Sequence, residues 1–260
     1  MAARRAAIPA LALACLLAAP PALRAAPAAD EIKRLPGWEG PLPSKQYSGF
    51  LDASPQHHLH YVFVEAEREP AKAPVVLWLN GGPGASSFGY GYLTELGPLS
   101  VETDNATALR GDGLPPRLVR NPHAFTTVAN VLFLESPSNV GFSFCGSPTA
   151  AKAADCGMWT DTSTAALNFA ALKAFFAKFP ELSSNPFWIW GESYAGVYIP
   201  MLADTILNAT TAQHAEAQRT RAGAVPALAG IVSAATPCRH AAARRGPLLP
   251  TGGGQRLPGG

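Results

Sequence analysis

Three short, continuous apolar runs punctuate the chain, at residues 74–79, 130–134 and 187–190. Their length and their β-branched and aromatic content predict strands buried on both faces, because a half-exposed strand would alternate polar and apolar positions. Residues 47–51 and 59–65 do alternate, and Ser54-Pro55 between them is a turn signal, so they predict an antiparallel hairpin. Residues 160–179 show helical spacing, with Ala166, Phe169, Leu172, Phe176 and Phe179 near one face and Asp161 or Thr162 as the cap. A second helix is predicted over 197–208 and a fourth buried strand over 228–233. Buried strands with interleaved helices predict an α/β fold with a mostly parallel central sheet. The early hairpin would form its antiparallel edge.

The two ends differ from this middle. Residues 1–28 carry three arginines and no acid, with an apolar stretch over 6–19 too short to span a bilayer. Small residues follow, and Ala26-Pro27-Ala28 fits a cleavage pattern, with Leu23-Arg24-Ala25 as the alternative, so 1–28 reads as a signal peptide. Residues 239–260 hold six glycines, three prolines and no acid, a composition that predicts a disordered, aberrant tail. The folded domain is therefore expected over 29–238. A signal implies an oxidising compartment, where Cys145 and Cys156, close in sequence, are a candidate disulfide. Asn105 and Asn208 open acceptor sequons for N-glycosylation. The formal net charge of +2 comes with no basic stripe, which argues against a nucleic-acid partner.

Chemistry enters at the end of the third apolar run. There Gly191-Glu192-Ser193-Tyr194-Ala195-Gly196 places a serine between small residues two before and two after it. That is the sequence form of a sharp strand-to-helix turn that exposes a nucleophilic hydroxyl. Such a serine needs a base, a group to orient the base, and donors for the oxyanion. The donors are the visible part. The Tyr194 N–H follows the serine, and Gly81-Gly82, in the loop after residues 74–79, can bring a second backbone N–H close.

The stretches 78–87 (WLNGGPGASS), 134–137 with 140–143, and 191–196 (GESYAG) together resemble serine carboxypeptidases, from about residue 35 to 237. The resemblance implies an α/β-hydrolase fold and release of C-terminal residues from peptides or proteins at acid pH, in a lysosome, vacuole or outside the cell. It implies no cofactor and leaves the oligomeric state open. Beyond 6–19 no stretch of the sequence is long and apolar enough to span a bilayer, so no stable membrane anchor is expected. By the same resemblance Ser193 is the nucleophile, and Gly82 and Tyr194 give the oxyanion N–H groups. Asn80 and Glu192, with Trp78 and Gly81 beside them, would hold the substrate carboxylate. Burial and a like charge would both favour a protonated Glu192 in that role.

The family's aspartate and histidine come late, beyond a helical cap. After Ser193 this sequence offers only Asp204, Glu216, His214 and His240. The expectation is therefore a chain lacking the cap and the C-terminal strands, and inactive by itself. Alternatives are an acyltransferase on the same scaffold, or a secreted fragment without catalysis. His57, His58 and His60 have no carboxylate or cysteine at ligand spacing in the sequence, so a solvated turn is expected there and no metal is called for. Phe169, Phe175, Phe176 and Phe179 are read as core.

Overall fold

A computed structural model describes residues 26–102, 115–147, 155–214 and 228–234. The signal-peptide reading falls largely outside these residues, as do the sequon at Asn105 and the tail at 239–260.

The strands are β1 Glu31–Ile32, β2 Gln46–Ser54, β3 His57–Val64, β4 Val75–Leu79, β5 Leu99–Val101, β6 Leu118–Arg120, β7 Asn130–Leu134, β8 Phe144–Cys145, β9 Phe187–Glu192 and β10 Leu228–Ala234. Helices α1 (Asp161–Lys178) and α2 (Ala195–His214) and a π-helix (Ser87–Glu95) lie between them. One sheet runs in the order β1-β2-β3-β7-β4-β9-β10, with β8 on β3. The four strands β7, β4, β9 and β10 are parallel, and the β1-β2-β3 side is antiparallel. The apolar runs became the central strands, but only the first two are buried on both faces, since Trp188 and Trp190 on one face of β9 stay half-buried. Every residue of β4 and β7 is buried.

Alternation along each strand sends successive side chains to opposite layers. Val62, Val64, Val76, Trp78, Val131 and Phe133 meet Tyr92 of the π-helix on one face. On the other, Phe63, Leu77, Leu132 and Ile189 meet Phe175, Phe176, Ile199 and Leu202 of the α-helices. Each large side chain taken fully out of water contributes about 1.5–3 kcal/mol.

The α1 expectation needs two corrections. Its cap is Thr160, whose Oγ1 accepts from the Ser163 amide at 3.1 Å while Ser163 Oγ accepts from the Thr160 amide at 2.9 Å. This reciprocal pair is a capping box, available because Thr160 and not Asp161 has the extended backbone a cap requires. The buried face is also rotated. Ala165, Asn168, Ala171, Leu172, Phe175 and Phe176 face the sheet, whereas Ala166 is exposed and Phe169 half-buried. Phe169 instead lies under the Lys173 ammonium, 5.1 Å from the ring centre.

Candidate active site

β9 lies between β4 and β10, so its C-terminal end opens at the middle of the parallel strands. Ser193 follows with φ +56°, a left-handed conformation that costs a non-glycine residue about 1 kcal/mol or more. The chain turns at once into α2, with Gly196 N–H donating to Ser193 O at 2.9 Å and Val197 N–H to Tyr194 O at 2.8 Å. Steric contacts explain the small neighbours. A Cβ on Gly191 would lie 2.3 Å from Leu79 O and 2.7 Å from Ala195 Cβ. Alanine at 195 is tolerated because Gly191 yields the space.

The glycine loop after β4 is pressed against this turn. A Cβ on Gly81 would lie 2.4 Å from Tyr194 N and 2.9 Å from Ser193 Cβ. Gly82 sits at φ +105°, where side chains are strained. Among the described residues neither the Gly82 nor the Tyr194 N–H donates to a backbone acceptor. Both amides are therefore uncommitted, one directly after Ser193 and the other directly after the Gly81 that packs against it. The Tyr194 hydroxyl donates to Asp161 Oδ1 at 3.1 Å, which anchors the turn to the start of α1 and raises the phenol pKa.

Asn80 is 2% exposed and is held from three sides. Its amide N–H donates to Ser87 Oγ at 3.0 Å, and its Oδ1 accepts from Trp78 Nε1 at 2.8 Å. The Nδ2 group donates to Glu192 Oε1 at 2.9 Å and to Glu95 Oε2 at 3.2 Å. Two carboxylates thus share one amide. Burial raises the Glu95 pKa, the bond from Asn80 lowers it, and the nearby Glu192 charge raises it again, for a net rise. Sequence reasoning missed Glu95. It stands 15 residues from Asn80, and only the π-helix brings it there. That helix closes with Leu96 N–H on Gly91 O at 2.8 Å, an i→i+5 bond that no 3.6-residue pattern signals.

No base approaches Ser193 among the described residues, and none of their hydrogen bonds involves its hydroxyl. Asp204 lies roughly 16 Å from Ser193 along α2 and His214 roughly 31 Å, at the helix rise per residue. Asn208 is exposed on α2, with its Nδ2 donating to Asp204 Oδ2 at 3.0 Å.

The histidine expectation is overturned. His60 is buried at 7% exposure, with Nδ1 2.9 Å from Glu135 Oε2 and Nε2 2.9 Å from Ser48 Oγ. His58 pairs with Asp52 at 2.6 Å. Cys145 and Cys156 are joined in a disulfide, with Cα atoms 5.5 Å apart, and His57 Nδ1 lies 3.0 Å from Cys145 Sγ. Pairing of β8 with β3 and of β7 with β3 brings these distant partners together. Among the described residues His57, Cys145 and Cys156 form a group at metal-ligand spacing, with both sulfurs engaged in the disulfide.

A sharp strand-to-helix serine turn at the C-terminal edge of parallel strands, facing a glycine loop, is the arrangement of an α/β-hydrolase fold. The crystal structure of Kex1Δp, a prohormone-processing carboxypeptidase from Saccharomyces cerevisiae, superposes with a TM-score of 0.60 at 26% identity, covering 76% of this chain and 41% of that one. The family model described as serine carboxypeptidase matches residues 36–221, and the chain belongs to that family. It is 46% identical to the lysosomal protective protein of Mus musculus over 186 residues, which is 71% of this chain and 35% of that protein. It is 43% identical to serine carboxypeptidase-like 20 of Arabidopsis thaliana over 184 residues, 70% of this chain and 35% of that protein. The chain thus spans about a third of the length of these curated relatives. Among the described residues no helix is long and apolar enough to cross a membrane.

Proposed function

We propose that this chain carries the nucleophile and the terminal-carboxylate site of a serine-type carboxypeptidase. Ser193 Oγ attacks the carbonyl carbon of the last peptide bond and forms an acyl-enzyme. The Gly82 and Tyr194 N–H groups receive the oxyanion that develops there. The free C-terminal carboxylate takes from Asn80 Nδ2 the hydrogen that Glu95 accepts in the free protein, and the Gly81 backbone meets it too. Glu192 stands beside them, and Trp78 fixes the Asn80 amide. The observation that carries this reading is the Asn80 amide shared by two carboxylates next to a strained serine and two uncommitted amides.

The base and its orienting acid come from outside the residues gathered around Ser193, so residues 29–260 alone are expected to hydrolyse peptides negligibly. The arginines and apolar run at 1–28 support entry into the secretory pathway, and one relative is named a lysosomal protein.

Glu95 sets the pH dependence. Its raised pKa means that, as pH falls through that value, it becomes neutral before an ordinary carboxyl would. Repulsion of a substrate carboxylate then eases. Affinity for a blocked dipeptide with a free C-terminus should rise on acidification, and Glu95→Gln should flatten the dependence. Calorimetric titration across the acid-to-neutral range measures it. The amidated dipeptide should bind at least about tenfold more weakly, one lost charge-assisted interaction. Equal binding of acid and amide would sink the reading. Assay of a protein that includes the remaining family segments, with the dipeptide and with a glucose ester, separates peptidase from acyltransferase.

A further inference from the structure

Ser48, His60 and Glu135 lie outside the site built around Ser193. Phe50 pairs with His60 and Ser48 with Val62 across the β2–β3 hairpin, so Ser48 and His60 are diagonal neighbours on one face. Glu135 follows β7 and is fully buried. Burial pushes its pKa up, but bonds from His60, the Phe142 amide and Ser86, with the His60 charge, more than offset this and hold it below the usual carboxylate value. An ionised carboxylate only accepts, so His60 Nδ1 carries the hydrogen that meets Glu135 Oε2. In the neutral imidazole the Nε2 lone pair then faces Ser48, whose O–H lies 2.9 Å away and can donate to it. Nucleophile, base and orienting acid stand in the relation that activates a serine.

A cavity of about 410 Å³ opens over this array, lined by Ser48, Gly49, Phe50, His60, Phe88 and Phe142. The rings of Phe50, Phe88 and Phe142 all lie edge-on to His60, at 5.2 to 5.8 Å between centroids. The volume is in the range of small-molecule pockets, and the lining is aromatic apart from the Ser48 hydroxyl and the imidazole.

We propose that Ser48, His60 and Glu135 form a second nucleophile array that takes a short apolar acyl group from an activated aryl ester. Ser48 Oγ attacks the ester carbonyl carbon and its proton passes to His60 Nε2. The bond from the carbonyl carbon to the aryl oxygen breaks, and the departing phenolate takes that proton from Nε2. The acyl group stays on Ser48 with its chain among the three phenylalanines. Glu135 holds the imidazole in the tautomer that accepts and stabilises the imidazolium formed in passing.

The test uses the full chain bearing Ser193→Ala, which removes the other candidate nucleophile, and p-nitrophenyl butyrate as the acyl donor. Release of p-nitrophenolate and intact mass report acylation, and peptide mapping locates it. The expected result is one butyryl group on Ser48. His60→Gln should slow its formation by about 100-fold, the scale of general-base assistance, and Ser48→Ala should abolish it. Phe142→Ser, at the exposed rim, should also slow it by weakening the acyl pocket. Protein unfolded in urea should show no preference for Ser48. No butyryl group on Ser48, or labelling at an equal rate in unfolded protein, overturns the proposal. So does labelling that neither His60→Gln nor Phe142→Ser slows.

Discussion

Ser193 and Ser48 divide the requirements of a nucleophile between them. Ser193 has the backbone: a left-handed φ of +56°, a glycine loop against it, and two uncommitted amides. Ser48 has the side chains: an imidazole at 2.9 Å, itself 2.9 Å from a buried carboxylate, on an ordinary extended strand. The contrast separates two kinds of preorganisation. One is steric and made by neighbours in sequence, so it needs glycine at fixed offsets. The other is polar and made by long-range pairing, so it needs a sheet to assemble it.

If that division is real, the polar region should suffer most from losing a single group. Glu135 accepts from the Phe142 amide at 2.8 Å, from His60 at 2.9 Å and from Ser86. Ser86 Oγ in turn accepts from the Gly89 amide at 2.8 Å and caps the π-helix that carries Glu95. Removing the carboxylate leaves several buried donors without partners. Glu135→Ala should cost about 3–5 kcal/mol, the scale for breaking a buried charged network, and Glu135→Gln markedly less. Urea denaturation followed by circular dichroism measures both. A cost below about 1 kcal/mol for Glu135→Ala would remove the distinction between the two regions.

The steric region is tested by adding atoms rather than removing them. On Gly191 a Cβ meets the Leu79 carbonyl oxygen at 2.3 Å, and backbone cannot yield as a flexible side chain does. Gly191→Ala should cost about 2–3 kcal/mol. Gly84 provides the contrast within the glycine loop. It has φ +99° but nothing within 4 Å of a new Cβ, so Gly84→Ala carries only the conformational term, about 1 kcal/mol. Equal costs at the two positions would show that contact with β4 adds nothing to the demand for glycine at 191.

The same division explains what the sequence disclosed. The spans 130–134 and 187–190 are legible because a short, continuous apolar run rich in β-branched and aromatic residues has few alternatives to a strand in the sheet. The serine turn is legible because its steric demands fall within five residues of chain. The disulfide was also within reach, Cys145 and Cys156 being 11 residues apart. His60 was misread because its partner Glu135 is 75 residues away and arrives only through β3–β7 pairing. Glu95 escaped because a π-helix rich in glycine, SFGYGYLTE, carries no helical period. Strands of two or three residues such as β1, β5, β6 and β8 hold too little pattern to show. The rotated face of α1 has a similar cause. Several alanines fit either side of a helix, and packing against the sheet chose Ala171 over Ala166.

The finest test replaces each serine by glycine. At Ser193 the change removes a hydroxyl that makes no hydrogen bond among the described residues and relaxes a left-handed backbone, an expected gain of about 1 kcal/mol or more. Glycine's larger entropy in the unfolded chain offsets part of that, about 0.5–1 kcal/mol. Ser193→Gly should therefore match or slightly exceed the stability of the parent chain. At Ser48 the backbone is already extended, so glycine brings the entropic cost without relief. It also forfeits the hydrogen bond to His60, about 1 kcal/mol more. Ser48→Gly should lose about 1–2 kcal/mol, and the urea midpoints of the two variants should fall on opposite sides of the parent or nearly so. If Ser193→Gly proves the more destabilising of the two, the serine turn is held by contacts of its side chain, and the assignment of Ser193 to a backbone-made site fails.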